Sequence, residues 1–182
     1  MTTTSTIAFR VHALPAGVLE GVRARGVDAF GSRAEHITAE GGEPLRCCLR
    51  NAGPGEDLLL FGYQPPLPAS PYREVGAVLA HAGPCAGPGE VSTYPPDWRG
   101  RPQVLRAYDA RGWIHDATAV HDGQDPEAAI AEVLAERGVM QVHSRNVAWG
   151  CYMFTITRAG QGTVAPAGLR TGRGNGPRSR GG

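Results

Sequence analysis

The chain has 182 residues, of which 41% are hydrophobic and 19% charged, with a formal net charge of +1. This balance suits one globular domain with or without a tail, and the length suffices to bury a core without disulfide staples. All 18 basic residues are arginine, which excludes Schiff-base lysine chemistry, a P-loop and the kinase lysine, and the near-neutral charge gives no general avidity for nucleic acid or membrane.

The opening MTTTSTIAFRVH has no basic region followed by an apolar run, so it does not read as a signal peptide. No apolar stretch approaches the roughly 18 residues of a membrane span, and a soluble cytoplasmic protein is expected. A strand is expected over 6–13, where Phe9 and Val11 alternate with Arg10 and His12. Pro15 then suits the first turn of a short helix whose apolar face is Val18, Leu19 and Val22. The apolar runs 45–51 and 57–63, on either side of Ala52–Glu56, read as a hairpin. Pro65, Pro66, Pro68 and Pro71 keep 64–72 out of regular structure. Another strand is expected over 74–81, followed by an irregular, proline-rich segment over 83–102, a length that usually signals function or mobility.

A second hairpin is expected from 103–109 and 113–121. Asp125-Pro126-Glu127 then supplies an N-cap, a first-position proline and a first-turn acid for a helix over 126–137, with Ile130, Val133 and Leu134 as its buried stripe and Arg137 and Gly138 at its end. Strands over 139–146 and 150–158 close the body. The order predicts an α+β domain over residues 1–158, an antiparallel sheet with about two helices packed on one face. Residues 159–182 hold eight glycines, four arginines and no acid. They predict a disordered Gly/Arg-rich tail whose four charges give nucleic acid only a weak, salt-dependent hold, so nucleic acid is not the expected partner.

The cysteines are Cys47, Cys48, Cys85 and Cys151, and none forms a C-x-x-C pair. On a strand, Cys47 and Cys48 point to opposite faces and cannot easily share a metal, so all four are expected to be reduced, small apolar side chains. His81 and Cys85, four residues apart, could be a nucleophile with its base or two metal ligands, and the spacing does not choose between them. His115 and His121 lie about 20 Å apart on a straight strand and cannot bind one metal. No cofactor and no metal site is assigned.

The candidate chemistry follows the strand period of two. Arg46, Cys48 and Arg50 share one face of 45–51, Arg106 and Tyr108 one face of 103–109, and Gln141, His143 and Arg145 one face of 139–146. If these strands are neighbours, their polar faces merge into a surface of guanidinium, thiol, phenol and imidazole with no acid facing the arginines. Arg46, Arg106 and Arg145, with Cys48, are the candidate substrate-binding residues, since guanidinium groups grip carboxylate or phosphate. His143 is the candidate general acid or base and Tyr108 its proton donor or orienter. The proline-rich segments 64–72 and 83–102 could roof this face.

Several segments carry a family resemblance: Pro44-x-Arg46-x-x-Leu49-Arg50, Gly55-Glu56 with Leu58–Leu60 and Tyr63, Ser70-Pro71-Tyr72-Arg73-x-x-Gly76, His81 with Cys85, Arg106–Asp109, and His143-x-Arg145-Asn146 with Gly150–Tyr152. From about residue 6 to Arg158 the chain resembles a bacterial domain-of-unknown-function family, number 1203. It departs from that pattern at Ala77, where a proline is expected, and lacks the usual aromatic around Leu79. The resemblance implies a compact bacterial single-domain protein and no particular activity.

Two readings of function follow. In the first, the protein binds a small carboxylate- or phosphate-bearing molecule on the polar sheet face and is a candidate cofactor-independent acid/base enzyme. In the second, a non-enzymatic module docks an acidic protein segment or a nucleic-acid backbone there. A closed pocket of roughly 300–1,000 Å³ favours the first, an open flat sheet the second.

Overall fold

The computed structural model describes residues 7–163. Most of the expected Gly/Arg-rich tail, from residue 164 onward, lies outside the described residues. In chain order the elements are β1 (Phe9–His12), α1 (Ala16–Arg25), β2 (Glu35–Thr38), β3 (Pro44–Leu45), β4 (Arg50–Asn51), β5 (Asp57–Tyr63), β6 (Gly76–His81), β7 (Gln103–Tyr108), β8 (Ala119–His121), α2 (Pro126–Ala135), β9 (Gln141–Asn146) and β10 (Tyr152–Arg158). A single 3-10 turn, Pro96–Trp98, interrupts the long segment before β7.

The α+β class holds, and the strands divide between two five-stranded sheets rather than one. The first runs β1-β10-β9-β7-β8 and the second β2-β5-β6-β3-β4. Every pairing is antiparallel except the single parallel contact of Leu45 with Leu79. Each sheet takes one helix. Ile130, Val133 and Leu134 of α2 join Leu105, Ala107, Val142, Phe154 and Ile156 in one core. Leu19 and Val22 of α1 join Leu45, Leu58, Phe61 and Val78 in the other. One cap of each helix is the one the residue types favour, whereas Pro15 precedes α1 without a side-chain cap and α2 ends at Ala135, with Glu136 already extended, ahead of the expected Arg137 and Gly138. The Asp125 carboxylate accepts from Ala128 N at 3.1 Å ahead of Pro126, and Gly26 closes α1 in the left-handed conformation at φ 69°. Leu134 is fully buried, so Leu134→Ala is expected to cost about 2–5 kcal/mol in urea unfolding; a change within error would place α2 outside the core.

The largest departure from the sequence reading is at 45–51. This is not one strand but two short ones joined by a turn over 46–49, closed by Leu49 N donating to Leu45 O at 2.9 Å. Leu49 has φ 58°, outside the strand region. The chain reverses there, so β4 pairs with β3 rather than with β5, and the hairpin expected around Ala52–Glu56 does not form. The segment has no β-branched residue, and its alternation is weak because Cys47, Cys48 and Leu49 form an unbroken apolar run, so little holds it extended. The strand expected over 113–121 is likewise reduced to β8, with a turn at 115–118. β2, which sequence reading passed over, is an edge strand exposed along its length, so no buried face marks it.

Candidate functional site

β7 and β9 are neighbours, with Arg106 directly opposite His143 and Tyr108 opposite Gln141. Directly paired residues put their side chains on one face, so Arg106, Tyr108, His143 and Arg145 come together as the period-two reading expects. The Tyr108 and His143 rings lie 4.7 Å apart between centroids. The loop 64–74 covers this face: Pro66 O accepts from Gln141 Nε2 at 2.6 Å, and Glu74 pairs with both Arg106 and Arg145. The acid missing from the strands therefore comes from the roof.

The result is a packed layer. The gap between Pro65, Leu67, Tyr108 and His143 has no room even for a water-sized group. Burial, and next to it the charge of Arg106, pushes the His143 imidazole down to about 3, and burial pushes the Tyr108 hydroxyl up. His143 is thus neutral near pH 7, with desolvation rather than arginine repulsion as the main cause. Its Nδ1 has no hydrogen-bond partner among the described residues.

Arg46 and Cys48 stand apart from this layer, because the turn at 46–49 rotates them off the expected strand face. Arg46 is 3% exposed and bridges the two sheets, donating from Nε to Tyr152 O at 2.9 Å and from Nη1 to Pro44 O. Among the described residues no carboxylate lies within ion-pair distance of it, and burial lowers its pKa to about 10. It lines a cavity of about 390 Å³ whose walls come from both sheets, with Leu60 and Leu79 on one side and Gln103, Asn146 and Met153 on the other. The segment 83–102 supplies Trp98, Arg101 and Pro102. The turn between β9 and β10 supplies Cys151 and Trp149, the latter 80% exposed. Cys151 lies within electrostatic reach of both Arg46 and Arg145.

Cys48 instead joins a second group. The same turn brings both Cys47 and Cys48 against His81 at the end of β6, and Cys85 completes the group, all four donor atoms lying within 4.8 Å of one another. The expectation that the adjacent cysteines point apart, and so cannot share a metal, fails because it assumed a strand. Hydrogen bonding from Cys48 holds the Cys47 thiol down to about 5 and leaves Cys48 shifted upward, so one thiol of the pair ionises ahead of the other.

Sequence reasoning missed Glu74, Trp98 and Trp149. Trp98 and Trp149 sit in an irregular segment and a turn, and Glu74, the first residue of the strand expected over 74–81, lies in the loop ahead of β6, so no periodicity marks them. The His81-Cys85 spacing was visible, but its convergence with Cys47 and Cys48 depends on the turn.

Fold and site together define a two-sheet α+β domain with a buried arginine at an inter-sheet cavity and a thiol–imidazole cluster beside it. The chain belongs to the family described as "Protein of unknown function (DUF1203)", whose model matches residues 42–158. The match covers β3 to β10 and begins later than the resemblance read from the sequence. No curated protein and no solved structure matches the chain. Among the described residues no helix is long and apolar enough to cross a membrane.

Proposed function

We propose that the protein binds a small, largely apolar molecule through its carboxylate or phosphate group, in the cavity between the sheets, with Arg46 holding the anion. The observation that carries this reading is Arg46 itself, a buried guanidinium without a carboxylate partner among the described residues, which lines a cavity of about 390 Å³. A buried charge is costly when unpaired, and an anionic ligand supplies the missing pair. The volume falls within the usual range for small-molecule sites, and Trp98, Leu79, Met153 and Pro44 suit an apolar body.

Binding rather than acid/base catalysis is favoured. Among the described residues the cavity lining contains no histidine and no carboxylate, and Cys151 is its one titratable group besides the arginines. Arg106 and Arg145 serve in this reading as the partners of Glu74, and the His143–Tyr108 pair as packing under Pro66.

The test is a thermal-shift and tryptophan-fluorescence titration with benzoate, hexanoate and phenyl phosphate, each against its neutral amide or alcohol. A ligand at a hundred times its Kd stabilises by about 2.7 kcal/mol. The anions are expected to raise the melting midpoint and perturb Trp149 emission, and the neutral analogues to do neither. Arg46→Gln is expected to weaken anion binding at least about tenfold, a loss of about 1.4 kcal/mol, with Arg46→Lys between the two. Equal binding of acid and amide, or no response from any probe, rejects the reading.

A further inference from the structure

We propose that Cys47, Cys48, His81 and Cys85 form a closed, tetrahedral zinc(II) site. The distances carry it. The Cys47 and Cys48 sulfurs are 3.9 Å apart, and His81 Nδ1 lies 3.4 Å from Cys47 Sγ and 3.9 Å from Cys48 Sγ. Zinc bonds of about 2.3 Å to sulfur and about 2.0–2.1 Å to nitrogen set tetrahedral edges of about 3.8 Å between sulfurs and about 3.6 Å between sulfur and nitrogen. Cys47, Cys48 and His81 already stand at about those separations, and Cys85 Sγ lies within 4.8 Å of all three, on chain segments fixed by the turn 46–49, the end of β6 and the loop that follows it.

The surroundings suit a thiolate site. His81 N donates to Cys47 Sγ and Gly87 N to Cys85 Sγ, each at 3.4 Å, which moderates charge on the sulfurs. Three thiolates and one zinc carry a net charge of −1, and the Arg50 guanidinium, 2.9 Å from His81 Nε2, opposes it. Metal on Nδ1 leaves the proton on Nε2, which needs an acceptor, and Glu56 Oε1 is 3.7 Å away. A movement of under about 1 Å brings it within hydrogen-bond distance, as the carboxylate support usual for a metal-bound histidine. Arg50 Nη2 gives up the imidazole and keeps Glu56 Oε1, which it already holds at 2.7 Å.

Soft sulfur donors select against magnesium and calcium. Four protein ligands leave no open position, so the site is structural rather than catalytic. A cavity of about 140 Å³ bordered by Leu14, Leu19, Cys47 and Cys85 gives the ion a path in. The site is independent of the anion-binding reading, since none of its four residues lines the inter-sheet cavity.

The test uses the full chain. Protein purified without chelator is expected to carry one zinc per chain by elemental analysis. Stripped and reduced under anaerobic conditions, it is expected to bind one equivalent of cobalt(II), with the thiolate-to-cobalt charge-transfer and intense ligand-field bands of tetrahedral coordination, and to lose them on adding one equivalent of zinc. Cys48→Ser is expected to shift the charge-transfer band and weaken binding at least about tenfold, and Glu56→Gln to weaken it about 10–100-fold. His36→Gln, on the exposed edge strand β2, is expected to leave the titration unchanged. Cobalt that stays octahedral, or no saturable binding by the reduced chain, overturns the site, whatever disulfides form in air; this readout needs no variant to fold.

Discussion

Trp98→Ala is expected to lower stability by about 3–5 kcal/mol, the range for removing a large buried aromatic side chain. Trp98 is 1% exposed although it sits in a single 3-10 turn within an irregular segment. Its indole stacks on Phe154 of the first sheet at 5.7 Å between centroids, and its Nε1 donates to Asn51 Oδ1 of β4 at 2.9 Å. One side chain thus ties the two sheets together and walls the inter-sheet cavity. Trp98→Phe keeps the stack and loses the hydrogen bond, so about 1 kcal/mol of the loss is expected to remain. Urea unfolding with an unchanged m-value checks both, and a loss below 1 kcal/mol for the alanine variant would show that the segment 83–102 does not pin the sheets.

Acidification is expected to destabilise the protein through His143. The imidazole falls from an unfolded value of 6.5 to about 3 in the fold, chiefly through burial. Between these values the unfolded chain binds a proton that the native state does not, so the contribution of His143 to stability is full above pH 6.5 and declines as pH falls. The decline is about 1.4 kcal/mol per pH unit, reaching about 4–5 kcal/mol once pH passes below 3. His143→Gln removes this titration. The difference between the two proteins in unfolding free energy, measured at pH 7 and again at pH 4.5, is expected to shift by about 2–3 kcal/mol in favour of the variant. His12 and His121, also lowered by burial, are common to both proteins and cancel. A pH-independent difference would mean that His143 reaches solvent, and with it a site that loop 64–74 can open.

These two residues mark the boundary of what the sequence determines. The α+β class, helix α2 with its Asp125 cap and Leu134 stripe, and strand β5 at 57–63 follow from local rules: capping chemistry, a period of 3.6 and bounded apolar runs. The assembly of Arg106, Tyr108, His143 and Arg145 on one face was also legible, because the period of two needs only that β7 and β9 be neighbours. What those side chains do was not legible. Glu74, on a different segment, pairs with both arginines, and Pro66 seals the imidazole away, so the layer has the composition of a site without the space for one. That outcome depends on loop packing, which carries no periodic signal.

The same limit applies at 45–51. Read as a strand, its alternation sends Arg46 to the polar face and splits Cys47 from Cys48. Folded as a turn, it places Arg46 at the inter-sheet cavity and both cysteines against His81. The residue types were fixed by the sequence, and so was their chemistry: a guanidinium that seeks an anion, and thiols with an imidazole that suit a soft metal. Their partners were decided by one left-handed residue, Leu49, and by contacts between segments dozens of residues apart, where long-range packing overrides local preference.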